Sequence, residues 1–359
     1  MNYKTNKNTF LFLLIIFLLL GLIYANYYKI QNDKIKAIEN KIAEEKRIEE
    51  LNPSEEIFLC IDEEIELDSI ERYDDSILKV TKKQDKCIIK GIEVGYTICY
   101  IPKLDKKIKV YVSNLYDNYN VNNEKEYIPC HAYTSEQAHF LDRALQYNIN
   151  KAGYNTRAGV LEAARFLSLR LKYRLPYFCE NGRLDLSTGH PLADGEGRYY
   201  HNGLYLSDDK FIEIQFPSYG PAIWGCELYE MPEKRMGING IDCSGFISWA
   251  LYNAGYDPGD IGGGDALNDN KYDLLDLGDS CLLNELDFSK LKAGDFIGYP
   301  GHIGMIVGLN DKLYVAQAYY VNGLEVNEYT KEELLASKWK YVILMDSYYK
   351  EDGNYNSMW

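Results

Sequence analysis

The chain has 359 residues, a length that holds about two domains, and its 46% apolar content suits an ordinary globular core. A formal charge of −15 argues against nucleic acid, whose binding is driven mainly by Lys and Arg on phosphates. Eight cysteines with no C-x-x-C pair argue against a zinc ribbon or a small disulfide scaffold.

Residues 1–28 predict a membrane anchor. Phe10 to Ala25 is uncharged and almost wholly apolar, near the ~20 residues that cross a bilayer, and Tyr27 and Tyr28 follow as an interfacial pair. A cleaved signal peptide wants small residues three apart before the cut, which Ile23 and Ala25 fit poorly, so an uncleaved anchor is expected. Lys4 and Lys7 precede the segment and Lys29, Lys34 and Lys36 follow it, so flanking charge does not orient it. The chemistry argued below places the rest of the chain on the extracytoplasmic side.

Residues 29–52 are charged and rich in helix formers. Ile35, Ile38 and Ile42 recur at helical spacing, continued raggedly by Ile48 and Leu51, and Pro53 ends the run. This predicts an amphipathic stalk with a surface for weak self-association. Residues 53–116 change to short strands: Ile77–Val80, Cys87–Ile89, Tyr96–Tyr100 and Ile108–Val112. Gly91 and Gly95 before a Tyr-Thr-Ile strand, and the last Lys-Val-Tyr-Val strand, resemble small bacterial immunoglobulin-like modules. Cys87 and Cys99 are candidates for a disulfide across two strands, the alternative being buried free thiols. Residues 117–132 form a polar linker.

Residues 133–359 predict the catalytic domain. Thr134 and Gln137 form a capping box that opens a helix to about Asn148. A second helix runs from about Arg157 to Lys172, with Val160, Leu161, Ala164, Leu167 and Leu171 on one face and Pro176 after it. An aromatic, glycine-rich insertion at 181–240 carries Tyr199, Tyr200, Tyr205 and Tyr219. A helix then runs from Cys243 to about Ala254. The acidic run Asp257, Asp260, Asp265, Asp269 and Asp273 misses the calcium-loop spacing and predicts a solvated loop. Strands follow at Asp295–Tyr299, His302–Leu309, Leu313–Ala318, Leu324–Tyr329 and Tyr341–Met345, interrupted by a helix capped by Thr330 and Glu333. Helices followed by an antiparallel sheet make an α+β domain.

The chemistry centres on Ile241-Asp242-Cys243-Ser244-Gly245-Phe246. A thiol is activated by a helix N-terminus and by a neighbouring imidazole. Cys243 is predicted at the first turn of its helix, and His302 is the only histidine after it. Gln317, a polar residue inside an apolar strand, is the candidate to orient the imidazole, with Asn322 and Glu325 as alternatives. His190 and His201 lack metal-ligand spacing, so neither a metal nor a cofactor is expected.

The blocks Asp242-Cys243-Ser244-Gly245-Phe246, Gly294-Asp295-Phe296-Ile297 and Gly301-His302-Ile303-Gly304-Met305-Ile306-Val307-Gly308 resemble the NlpC family of papain-like cell-wall hydrolases. The likeness covers about Arg157 to Asp346. It implies a papain-like fold and cleavage of peptidoglycan stem peptides, often between D-γ-glutamate and the next diamino acid. It makes Cys243 the nucleophile, His302 the base and then acid, and Gln317 the orienting group. Asp242, Ser244 and Gly301, with Trp224 and Tyr177 from the two aromatic segments before the cysteine, are expected at the substrate cleft. The insertion between those aromatic segments departs from the family pattern. Competing readings are an amidase or acyltransferase on another amide or ester, and a non-catalytic wall-binding module.

Overall fold

The anchor and the stalk are one continuous helix, α1 (Lys4–Glu50), about 70 Å long at 1.5 Å per residue. The computed structural model describes residues 4–178, 203–207, 223–230, 236–258 and 274–359. The most apolar 18-residue window of α1 has a mean hydropathy of 2.4, and none of it is buried. The helix is therefore long and apolar enough to cross a membrane. Ile35, Ile38 and Ile42 stay exposed, whereas Ile48 near the C-terminal end is buried. That end is tied down: Arg47 donates to both oxygens of Asp105, at 2.8 and 2.7 Å, and Lys107 Nζ donates to the Glu49 carbonyl at 2.9 Å.

Two three-stranded sheets follow. One has the order β1-β6-β5, with β1 (Pro53–Cys60) parallel to β6 (Lys106–Ser113) and β5 (Gly95–Ile101) antiparallel to β6. The other has the order β2-β4-β3, from β2 (Glu64–Asp68), β3 (Leu78–Lys83) and β4 (Lys86–Gly91). They enclose a core of Ile57, Leu59, Leu78, Ile89, Ile108, Val110 and Val112. Cys87 and Cys99 point into that core from different sheets and are buried free thiols, the alternative to a disulfide across two strands. Among the described residues, a disulfide joins Cys130 to Cys226.

Alternation along β1 explains how this β module meets the rest of the chain. Ile57 and Leu59 face the module core, while Phe58 and Cys60 face the other way, into the larger core. Phe58 stacks on Tyr111 at 5.1 Å and meets Phe140 edge-on at 5.3 Å. Phe140 lies on α2 (Ser135–Ala152), which opens with the expected Thr134–Gln137 capping box. The segment before α2 packs along the domain: Asp117 N–H donates to the Arg170 carbonyl and Ile128 N–H to the Arg174 carbonyl, both at 2.9 Å.

The next helix, α3 (Arg157–Arg165), is buried on every face. It is shorter than the sequence suggests, because a wide π-type turn spans Phe166–Arg170, closed by Leu171 N–H on the Phe166 carbonyl at 2.9 Å. That turn carries Arg170 inward, where its guanidinium reaches Glu63 of the β module. A short hairpin, β7 (Glu227–Glu230) with β8 (Met236–Ile238), precedes α4 (Cys243–Asn253). The sequence C-S-G-F-I-S-W-A-L-Y-N is apolar around nearly the whole helix, so α4 is a core helix.

The main sheet has six strands in the order β13-β12-β11-β10-β14-β9, all neighbours antiparallel. They are β9 (Asp279–Leu282), β10 (Phe296–Tyr299), β11 (His302–Leu309), β12 (Leu313–Tyr319), β13 (Gly323–Tyr329) and β14 (Tyr341–Leu344), with α5 (Lys331–Ala336) between the last two. Helices α3 and α4 pack on β11, and α4 also on β12. The architecture is mixed α+β, as expected.

An ion cluster centred on the buried pair Arg157–Asp295 joins the helices to the sheet. Arg157 is fully buried, donating to Asp295 at 2.7 Å and also pairing with Asp346 and Asp352. Burial pushes the Asp295 carboxyl above its ordinary pKa, and the guanidinium opposes that shift. Removing one partner of a buried pair strands the other charge. Arg157→Met is therefore expected to destabilise the protein by about 3–5 kcal/mol in denaturant unfolding. A loss below about 1 kcal/mol would mean that the cluster does not lock helix to sheet.

Candidate active site

Cys243 occupies the first position of α4, capped by Asp242. The Asp242 carboxylate accepts from Gly245 N–H at 2.6 Å and from Ser244 Oγ at 3.3 Å. This is an N-cap in which a side-chain oxygen satisfies a first-turn donor. It fixes the turn that presents the thiol. Just upstream, Ile241 N–H donates to the Pro176 carbonyl at 2.9 Å. A Cβ on Gly240 would stand 1.9 Å from that same carbonyl, so only glycine lets the two strands of chain approach. Cys243 itself is 7% exposed, within the core that includes Ile303, Met305 and Ala316 of the facing strands.

His302 is the first residue of β11, after a turn in which Gly301 adopts φ +78°. That left-handed conformation favours glycine, and the space around Gly301 is open. The imidazole is nearly buried and walled by aromatic rings. Trp339 stacks on it at 5.6 Å and 26°, Tyr299 lies at 5.1 Å, and Tyr319 meets it edge-on at 5.6 Å. Nε2 lies 2.7 Å from Gln317 Oε1. Among the described residues, no hydrogen bond engages Nδ1.

The fold thus brings His302 and Gln317 into contact, and it packs the helix bearing Cys243 against the two strands that carry them. Asp242 and Ser244 are buried and shape the helix start. Tyr177 is half-buried and bridges to Ile241. Trp224 is 1% exposed and packs between Tyr205 and Trp249, at 5.4 and 6.0 Å. Through Trp249 it packs against α4. Tyr199, Tyr200 and Tyr219 of the insertion, His190 and His201, and Asp260, Asp265, Asp269 and Asp273 lie outside the described residues.

Three features around the site are absent from the sequence reading. Trp339, on the segment before β14, stacks on the imidazole. Lys338, its neighbour, sits over the rings of Tyr319 and Tyr299, at 3.9 and 4.9 Å. The Cys130–Cys226 bond ties the segment before α2 to the start of the hairpin that leads to Cys243. The one grouping of potential metal ligands among the described residues is Cys130, His131 and Cys226, and two of its three members form that bond.

No family model matches the chain, and no curated protein matches it. Among solved structures it is similar to the P60 domain of an antigen from M. avium subspecies paratuberculosis, at 16% identity. That match covers 57% of this chain and 97% of the P60 chain, with a TM-score of 0.23. Similarity at that level has no bearing on function; the side-chain geometry does.

Burial is the largest influence on His302 and holds its pKa below the ordinary 6.5. The Gln317 hydrogen bond and the Glu325 charge oppose that shift, and the Lys338 charge adds to it. A depressed folded value means that the stability His302 contributes is complete above pH 6.5 and is lost as pH falls through the folded pKa. Gln317→Leu removes a bond that favours the imidazolium, and Lys338→Met removes a repelling charge. In an NMR titration of the full chain carrying Cys243→Ala, the first change is expected to lower the His302 pKa further and the second to raise it. Two unchanged values would contradict this electrostatic picture.

Proposed function

We propose that the chain is a membrane-tethered, extracytoplasmic cysteine hydrolase with a papain-like catalytic domain. Its substrate is the peptide stem of peptidoglycan, cut between D-γ-glutamate and the diamino acid that follows. The observation that carries this reading is a capped helix-start thiol, Cys243, on a helix packed against the strand that carries His302, whose Nε2 is held by Gln317. Held in that way, the ring offers Nδ1 to the thiol proton.

The steps balance as follows. Nδ1 takes the Cys243 proton, and the thiolate sulfur bonds to the amide carbonyl carbon. The resulting oxyanion is stabilised by the positive end of α4. As the C–N bond breaks, Nδ1–H gives its proton to the leaving amine, and a thioester remains. Water, losing a proton to Nδ1, attacks the thioester carbon; the C–S bond breaks, Nδ1–H returns its proton to the sulfur, and the carboxylic acid leaves and gives its own proton to solvent.

The substrate class is supported by the three sequence blocks around Cys243, Asp295 and His302. Asp242 and Ser244 set the turn, and the open space at Gly301 and the half-buried Tyr177 are assigned to the substrate cleft. The long apolar α1 and the Cys130–Cys226 disulfide support an oxidising location at a membrane. The stalk and the β module set the distance between bilayer and active site.

Purified full-length protein in detergent micelles, given defined stem peptides, tests the chemistry. The γ-glutamyl bond is expected to be cut, with kcat/KM reduced about a thousandfold or more in Cys243→Ala and in His302→Ala. Unchanged cleavage in Cys243→Ala would sink the assignment. Topology has a separate test. Protease added to spheroplasts is expected to digest the C-terminal domain, and full protection would place it inside.

A further inference from the structure

The hydrogen bonding does not stop at Gln317. Its Nε2 donates to Glu325 Oε1 at 3.0 Å. Glu325 lies on β13 directly opposite Gln317 on β12, and both side chains are buried. The same oxygen accepts from Asn327 Nδ2 at 2.8 Å, and Glu325 Oε2 accepts from Asn322 Nδ2 at 2.7 Å. Three amide groups therefore donate to one carboxylate, which satisfies an acceptor that burial would otherwise leave costly.

We propose that Glu325 is a positioning residue of this site: its carboxylate fixes the Gln317 amide with the oxygen toward His302, and so holds the imidazole as the Nε2–H tautomer with Nδ1 bare. The proposal rests on reading Cys243, His302 and Gln317 as the reactive set. A glutamine amide is nearly symmetric in shape, and its two orientations differ only in which partners they satisfy. Oxygen toward the ring requires Nε2–H and leaves Nδ1 as the base. The reverse orientation points –NH2 at Nε2, makes that atom the acceptor and moves the ring proton to Nδ1, where no thiol proton can be taken. An ionised carboxylate is acceptor-only, so it bonds the –NH2 end and repels the oxygen. That selects the first orientation. Its charge also favours the imidazolium that forms during the reaction, against the opposing charge of Lys338. Among the described residues, Tyr299 and Tyr319 complete the titratable groups packed on the ring, and Cys243 on α4 is its proposed reaction partner.

The test reads the ring directly. The full chain has five histidines, so 15N-histidine labelling in detergent micelles gives a tractable spectrum, assigned with His302→Gln. Cys243→Ala removes coupling to the thiol. In that background His302 is expected to be almost wholly the Nε2–H tautomer above its pKa. Adding Glu325→Gln leaves a neutral amide that accepts either Gln317 orientation, and the Nε2–H population is expected to fall to about half. A general packing defect would broaden or lose the signal without changing the tautomer of a folded ring. An Nδ1–H ring in Cys243→Ala alone would overturn the proposal, even if Glu325→Gln does not fold. An unchanged tautomer in folded Glu325→Gln would overturn it too. Neither result depends on turnover: a failed proposal leaves the hydrolase reading to its own assay, and an inactive protein leaves the tautomer result standing.

Discussion

Three adjacent antiparallel strands place a histidine, an amide and a carboxylate in one buried row: His302 on β11, Gln317 on β12 and Glu325 on β13. Everything proposed for the site depends on that row. A lone buried imidazole is free to take either tautomer, and burial alone disfavours the charge it would carry in the proposed reaction. The row fixes the tautomer and returns part of the lost charge stability. Trp339, Tyr299 and Tyr319 then hold the ring plane and shield the bond from water, which strengthens it.

The remaining architecture packs the helix that begins at Cys243 against two strands of that row. Helix α4 has no polar face to offer solvent, so it is confined between α3 and the sheet, and its first turn is set by Asp242. Arg157, on α3, fastens the helical layer to the strand segment at Asp295. The β module is not loosely strung from the part of the chain that carries Cys243 and His302. Phe58 and Cys60 of β1 belong to the larger core, and Arg143 and Arg170 reach across to Glu56 and Glu63.

How much of this was legible in the sequence follows from the range of the interactions. The Cys243 helix start, the His302 strand and both capping boxes are local patterns, and each appears where expected. Gln317 stood out because a polar residue in an apolar strand needs a partner, and the partner is His302. Strand β1 went unnamed because Ser54, Glu55 and Glu56 occupy its exposed half and hide the alternation of Ile57 to Cys60. Asp295 was visible as part of a motif, but its partner Arg157 lies 138 residues away. The disulfide spans 96 residues, and no spacing rule selects Cys130 and Cys226 over the other pairs. Glu325 needed the β12–β13 register, which places it opposite Gln317. In the sequence it was one alternative among several.

The central claim is that Cys243 differs in kind from the other thiols among the described residues. Burial pushes Cys60 and Cys99 up to about 12 and raises Cys87 and Cys281 as well, which makes all four poor nucleophiles at neutral pH. The most direct measurement is the site-resolved rate of alkylation by a small electrophile at neutral pH, read by peptide mapping of the folded full chain. The account predicts that Cys243 is modified far faster than these four, and that His302→Ala abolishes the difference while the protein stays folded. Alkylation of Cys243 no faster than theirs, or a rate indifferent to His302, would contradict it.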